Sequence, residues 1–401
     1  MYRHLLPTGA NNKTDKLTLV NNLKSFFSKC TVAYGLGKYY ELFGNTEKAL
    51  EAYHWGLSNE PNHPNLNFHL GRLLLAQGET REAVKLLTLA ASLSNGNSNY
   101  LYWLGEAYNQ LGAKQETLTM YNQVLLMEPT SCQAWIAKGQ YYYQDGQVKE
   151  ALNCFRQATA FSPNHVDALN NVGLCLCHLN DYQEALFFFL RAVKYAKEDS
   201  VVHYNLGLCL SKLENYEEAL NAFRKAEELG MRNVDLYNNM GCCLISLKRI
   251  KEAIICYENA LDFNPNDLTL LSNKGISLEK AGRIAEALGC FEQALLTNPN
   301  DTTILNNKAL CLEKLERIEA ALDTYRKALE LDAENVNIMV NMGMCLLKSQ
   351  QLNEAEGNFE RALHFEPNNR AAWNGKGIIC EKMNQSAEAV ECFNRALGLK
   401  A

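Results

Sequence analysis

The sequence predicts an all-α solenoid, a stack of short helix pairs, and three observations carry that prediction. A small residue recurs at Gly37, Gly71, Gly105, Gly139, Gly173, Gly207, Gly241, Gly275, Ala309, Gly343 and Gly377, every step being 34 residues. Twelve residues after each stands an alanine, from Ala49 to Ala389, with Thr117 the exception. Four residues later comes Tyr53, Leu87, Tyr121, Phe155, Phe189, Phe223, Tyr257, Phe291, Tyr325, Phe359 or Phe393. Steps of 4, and then 3 to a further alanine such as Ala90 or Ala396, keep these side chains on one helical face. The third observation is proline: only eight occur in 401 residues, and Pro61, Pro129, Pro163, Pro265, Pro299 and Pro367 fall at one place in the period, just past a helix end.

The elements follow in order. Residues 1–29 carry Leu17, Leu19, Val20, Leu23, Phe26 and Phe27 at spacings that predict an amphipathic helix covering the first repeat. From Cys30, taken as repeat position 1, eleven 34-residue repeats run through residues 30–401, each a helix A, a turn and a helix B. The small residue at position 8 lets helix A approach helix B, alanine at 20 does so from the other side, and the aromatic at 24 is expected to fill the gap between repeats. One repeat cannot bury its own apolar face, so neighbours stack into one continuous solenoid without separate domains. Repeats run to the last residue with Val390, Phe393, Ala396 and Leu397 facing onward, so this end is expected to meet a partner, a second copy of the chain or a further piece of a longer protein.

Composition narrows the function. The net charge of −6 opposes docking on nucleic acid or anionic lipid, and no apolar run is long enough to cross a membrane. Residues 1–29 lack the apolar stretch of an export signal, which points to the cytoplasm. The fourteen cysteines fit reduced packing thiols: Cys175, Cys209, Cys243, Cys311 and Cys345 share position 10, and Cys154, Cys256, Cys290 and Cys392 share position 23. No metal site or cofactor is expected, and none of the eight histidines has a recognisable catalytic partner in the sequence. There is no phosphate loop, HExxH or GxSxG motif, so the chain is read as a non-enzyme.

The position-8, position-20 and position-24 pattern resembles that of tetratricopeptide repeat proteins. That resemblance implies a right-handed superhelix whose A helices line a concave groove through positions 2, 5, 6, 9, 12 and 13. Position 6 reads Asn171, Asn205, Asn239, Asn273, Asn307 and Asn341 in six successive repeats, with Asn170, Asn238 and Asn306 among those at position 5. A primary amide both donates and accepts, as a peptide main chain requires. The row is similar to the asparagine ladder in the repeat region of O-linked N-acetylglucosamine transferase, which implies capture of an extended peptide. The competing reading, that these amides cap neighbouring groups within the fold, stays open. Lys212, Lys280, Lys314, Lys348 and Lys382 at position 13, three of them beside Glu279, Glu313 and Glu381, read as a solvated edge of mixed charge. The early repeats instead bring Tyr34, Phe68, Tyr102, Trp103, Tyr142 and Tyr143 to the same face, with Tyr102 and Trp103 as candidate anchors. The expected function is a scaffold that binds a protein or peptide partner. The alternative is a structural subunit of ciliary transport or ubiquitin-ligase type, docked through its convex surface and its carboxy-terminal end near Phe393 and Leu397. The carboxylate clamp of co-chaperone repeats is excluded, since no repeat has lysine at position 5 or arginine at position 6.

Overall fold

The computed structural model describes residues 28–94 and 96–399, so the amphipathic helix expected on Leu17 to Phe27 lies outside the described residues. Twenty-two helices are present among the described residues, and no strand. The fold divides into two compact units, one ending at Ala196 and one starting at Lys197. The first unit holds α1 (Lys29–Leu42), α2 (Thr46–Asn59), α3 (Pro64–Ala76), α4 (Thr80–Leu93), α5 (Ser98–Leu111), α6 (Lys114–Met127), α7 (Cys132–Gln144), α8 (Val148–Phe161), α9 (Val166–His178) and α10 (Tyr182–Tyr195). The second holds α11 (Ser200–Lys212), α12 (Tyr216–Glu228), α13 (Val234–Ser246), α14 (Ile250–Phe263), α15 (Leu268–Lys280), α16 (Ile284–Thr297), α17 (Thr302–Lys314), α18 (Ile318–Leu331), α19 (Val336–Lys348), α20 (Leu352–Phe365), α21 (Arg370–Lys382) and α22 (Ser386–Leu397).

Each odd-numbered helix pairs with the even-numbered one after it. The glycine at position 8 explains how. A Cβ built on Gly139 would lie 2.7 Å from the Phe155 ring, and one on Gly207 would lie 2.6 Å from Phe223. The aromatic at 24 therefore sits in the notch that glycine leaves inside its own repeat, as well as bridging to the next, where Gly375 meets Phe359 in the same way. Tyr53, Tyr121, Phe155, Phe189, Phe223, Tyr257, Phe291, Tyr325 and Phe359 are accordingly fully buried. The column of alanines at position 20 is buried with them, and Thr117 takes that place by donating its hydroxyl to the Ala113 carbonyl at 2.8 Å.

The turns have a uniform construction. Helix A ends in a left-handed residue at position 15, and Asn180 shows the bonding: its N–H donates to the Cys177 carbonyl, and the Asp181 N–H to that of Leu176. Helix A begins behind a capping side chain. Ser131, Asp199, Asn233, Asp267, Asp301, Asn335 and Asn369 each accept from the backbone N–H three residues on, and His63 and His165 do so through Nδ1. Within each unit the first helices of neighbouring pairs pack on one another, whereas among the described residues the second helices do not. The first helices therefore line the inner face of each unit's stack, and the second helices its outer face.

The cysteines are free, and most are buried. Burial pushes the Cys175 thiol up to about 12, and those of Cys154, Cys256, Cys311 and Cys345 up to about 11, so they remain protonated packing groups.

Candidate functional site

On the inner face of the second unit, Asn205, Asn239, Asn273, Asn307 and Asn341 project from α11, α13, α15, α17 and α19. Asn205 is buried and the others are half-buried. Three of them reach back to position 5 of the preceding repeat: Asn239 Nδ2 donates to the Tyr204 hydroxyl at 3.2 Å, Asn273 Nδ2 to Asn238 Oδ1 at 3.2 Å, and Asn341 Nδ2 to Asn306 Oδ1 at 2.9 Å. Asn239 also donates to the Asp235 carbonyl at 2.8 Å. These bonds engage the NH2 group and leave the amide oxygens without a partner among the described residues. Asn307 makes no hydrogen bond at all among them. The fold thus uses part of the hydrogen-bonding capacity of the row and orients the remainder.

Beside this row runs a column that the sequence reading placed on the groove and did not interpret. Position 9 is Lys38, Arg72, Glu106 and Gln140 in the first four repeats, then Leu174, and in the second unit Leu208, Cys242, Ile276, Leu310, Met344 and Ile378. Cys242 is exposed and the other five second-unit residues are half-buried. The change was legible by reading the column downward. On the outer edge, Lys314 pairs with Glu279, and Lys348 with Glu313 at 2.5 Å, each to the preceding repeat. Lys212, Lys280 and Lys382 have no ion pair among the described residues.

The first unit is built differently. Phe68 is core, buried and stacked on Tyr100 at 4.3 Å. Tyr34, Tyr102, Trp103, Tyr142 and Tyr143 are half-buried, and Tyr102 meets Trp103 edge-on at 5.8 Å. Asn170 and Asn171 are half-buried on α9, and Asn171 makes no hydrogen bond among the described residues.

One histidine, contrary to the sequence reading, has a charged neighbour. His69 Nδ1 lies 3.3 Å from Glu41 Oε1, off the line of a hydrogen bond. Glu41 also accepts from the Tyr53 hydroxyl at 2.5 Å and pairs with Arg72, whose guanidinium stacks over Trp103 at 5.7 Å. Burial alone would raise the Glu41 carboxyl, but the contacts to His69, Tyr53 and Arg72 outweigh it and hold the group at about 2. Burial lowers His69 below its ordinary value, against the opposing pull of Glu41. The cluster joins positions 12 and 24 of one repeat to positions 6 and 9 of the next, a proximity that only stacking creates.

Between Trp103 and Asn171 the position-6 column holds Ala137, and the missing side chain leaves a cavity of about 340 Å³ on the inner face. Its walls are Tyr102, Ile136 and Ala137, with Gln133, Gln140, His165 and Asp167 around them. Among the described residues, no group of three His, Cys, Asp or Glu side chains is arranged to hold a metal ion.

The profile of the family described as cilia and flagella-associated protein 70 C-terminal domain matches residues 109–338, more than half of the chain. The chain belongs to this tetratricopeptide repeat family. A general tetratricopeptide repeat profile matches residues 34–98, 70–125 and 341–401 of the same repeat protein, which accounts for the regions on either side. None of the curated proteins matches at a significant level. Among solved structures, the repeat protein is similar to YrrB, described as a TPR protein with an unusual peptide-binding site: 25% identity, 49% of this chain and 97% of that one, TM-score 0.43. It is also similar to a tetratricopeptide repeat protein from Parabacteroides merdae, at 18% identity over 63% of this chain and 100% of that one, TM-score 0.48. Pseudomonas aeruginosa pilF matches at 21% identity over 51% and 93% of the two chains, TM-score 0.45. No described helix is long and apolar enough to cross a membrane.

Proposed function

We propose that this repeat protein is a non-enzymatic interaction scaffold that holds an extended peptide segment of a partner along the inner face of its second unit. The observation that supports this most is the pairing of two parallel columns: partly committed amides at position 6, and half-buried apolar side chains at position 9. First helices of neighbouring repeats pack about 8–10 Å apart, and an extended chain advances about 3.3 Å per residue, so each repeat corresponds to roughly three residues of ligand. The amide oxygens then meet main-chain N–H groups at that interval, and Leu208, Ile276, Leu310, Met344 and Ile378 cover apolar side chains between them.

The test is affinity purification from native extract with the intact chain beside the triple variant Asn239→Ala, Asn273→Ala, Asn307→Ala and the single variant Asn307→Ala. Asn307 makes no internal bond, so its loss probes binding without touching the fold. Partners lost with both variants support the reading. Partners retained by the triple variant, once circular dichroism shows it folded, sink it.

A second reading rests on the outer face. Phe187 and Leu190 on α10 are 55% and 53% exposed, and Val390 and Leu397 on α22 are 59% and 69% exposed. With the ciliary description of the family, these support a structural subunit docked through its outer helices, or self-association near Phe393 and Leu397. Retention of partners by the triple variant would favour this reading.

A further inference from the structure

The amide row lies in the second unit, and a separate cavity lies beside Ala137 in the first. At about 340 Å³ it stands at the small end of ligand pockets, enough for one long side chain and too little for a large cofactor. Its chemistry is one-sided. Asp167 is exposed in the first turn of α9 and has no ion pair among the described residues, and no lysine or arginine lines the space. Lys138, the cation nearest in sequence on α7, is turned away: its Nζ donates to Asn122 Oδ1 at 2.7 Å and lies over the Trp135 and Tyr142 rings. Glu106 adds a second carboxylate behind Tyr102, where it already accepts the Tyr121 hydroxyl at 2.6 Å. Gln133 and Gln140 are exposed and bring primary amides, each with an acceptor oxygen, to the rim. His165 Nδ1 is oriented toward the Ala168 N–H at 3.5 Å, in an acceptor's role.

We propose that this cavity receives an arginine side chain of a bound peptide. The aliphatic stem would lie along Ile136 and Ala137, and the guanidinium would stack on the Tyr102 ring while its N–H groups reach Asp167, Gln133 and Gln140. Five donors in a flat fork suit acceptors spread around a rim better than the three donors of an ammonium, and a flat cation gains from an aromatic wall. An acidic side chain finds no cation here, and an apolar one would strip water from Asp167 without replacing it. This site is independent of the second-unit amides, so the two readings can fail separately.

The test uses the full chain and acetylated, amidated pentapeptides with one arginine, lysine, citrulline or glutamate in an alanine background, read by saturation-transfer NMR and calorimetry. The arginine peptide is expected to bind about tenfold more tightly than the citrulline peptide, the ratio of a charge-assisted contact to a neutral one. Asp167→Asn should erase that preference, and Gln140→Lys, at an exposed side chain, should abolish binding. Asn307→Ala should leave it unchanged. Circular dichroism verifies that each variant is folded. Equal binding of citrulline or lysine, or an unchanged preference in Asp167→Asn, overturns the assignment.

Discussion

Position 15, where helix A ends, offers a sharp energetic test. The chain turns there with positive φ in every repeat, but glycine occupies only some of these sites: Gly44, Gly78, Gly112, Gly146 and Gly282 against Asn180, Glu214, Lys248, Glu316, Gln350 and Asn384. Glu214, Lys248, Glu316 and Gln350 sit at φ 61°, 60°, 60° and 60°. A side chain with a Cβ costs about 1–2 kcal/mol in that region, and glycine costs about 0.5–1 kcal/mol more chain entropy on folding. The difference favours glycine by about 0.5–1 kcal/mol per site. The turn's own bonds run through the backbone, such as the Arg249 N–H to the Leu244 carbonyl at 2.8 Å, so glycine keeps them. The four sites lie in different repeats, and replacing all four with glycine should stabilise the second unit by about 2–4 kcal/mol if they add. In urea that is a rise of roughly 1 M in midpoint. Because repeat arrays open locally, hydrogen exchange of the flanking helices should slow as well. Asparagine tolerates this backbone better, so Asn180→Gly should gain less than Lys248→Gly, and Gly282→Lys should lose what Lys248→Gly gains. An unchanged midpoint in the quadruple variant, or equal gains at Asn180 and Lys248, would refute the argument.

Two further outcomes follow from the ionisable groups. Glu41 is held near 2 against an ordinary 4.5, so its stabilisation is full above about pH 5 and is lost as pH falls toward 2; the lowered His69 adds a loss that begins below its ordinary 6.5. The stability gap between the wild type and Glu41→Gln, read by tryptophan fluorescence in urea, should therefore shrink from about 3 kcal/mol at pH 7 toward zero near pH 2, and a gap that ignores pH would count against the cluster. A thiol reagent on the native chain should modify the exposed Cys242 first and leave Cys175, Cys209, Cys243, Cys311 and Cys345 protected until unfolding; rapid labelling of that buried column would contradict the packing assigned to it.

How much of this was legible in the sequence depends on whether a residue is chosen by its own repeat or by its neighbour. Gly139 and Phe155 meet within a repeat where Ala151 is also fully buried, so steric demand repeats every 34 residues and the columns declare the helix pair. Position 15 hides, because lysine, glutamate and glutamine carry no mark of left-handed backbone, and only the five glycines hint at it. The bond from Asn341 to Asn306 and the ion pair from Lys348 to Glu313 both span 35 residues. Their partners stand one place apart in the repeat, and nothing short of the stacked helices aligns them. The Glu41, His69 and Arg72 cluster was missed for the same reason. Its members occupy three different repeat positions, and each looks unpaired in a sequence read one column at a time.

Column 6 is where a single position changes what the inner face can do. It lies outside the notch between Gly at 8 and the ring at 24 of its own repeat, and touches the ring of the preceding repeat, as Gly375 does Phe359, so its identity varies more than that of position 8. Trp103 uses that freedom to hold a cation, receiving Arg72 over its ring. Ala137 lines a cavity, and Asn239, Asn273 and Asn341 link repeats by N–H groups while their oxygens have no partner among the described residues. A site under packing constraint would have converged on one residue type, as position 20 has on alanine. The change of position 6 from Trp103 and Ala137 to a run of asparagines, beside a position 9 that turns from charged to apolar, is the change that the proposed peptide-binding role asks of this face.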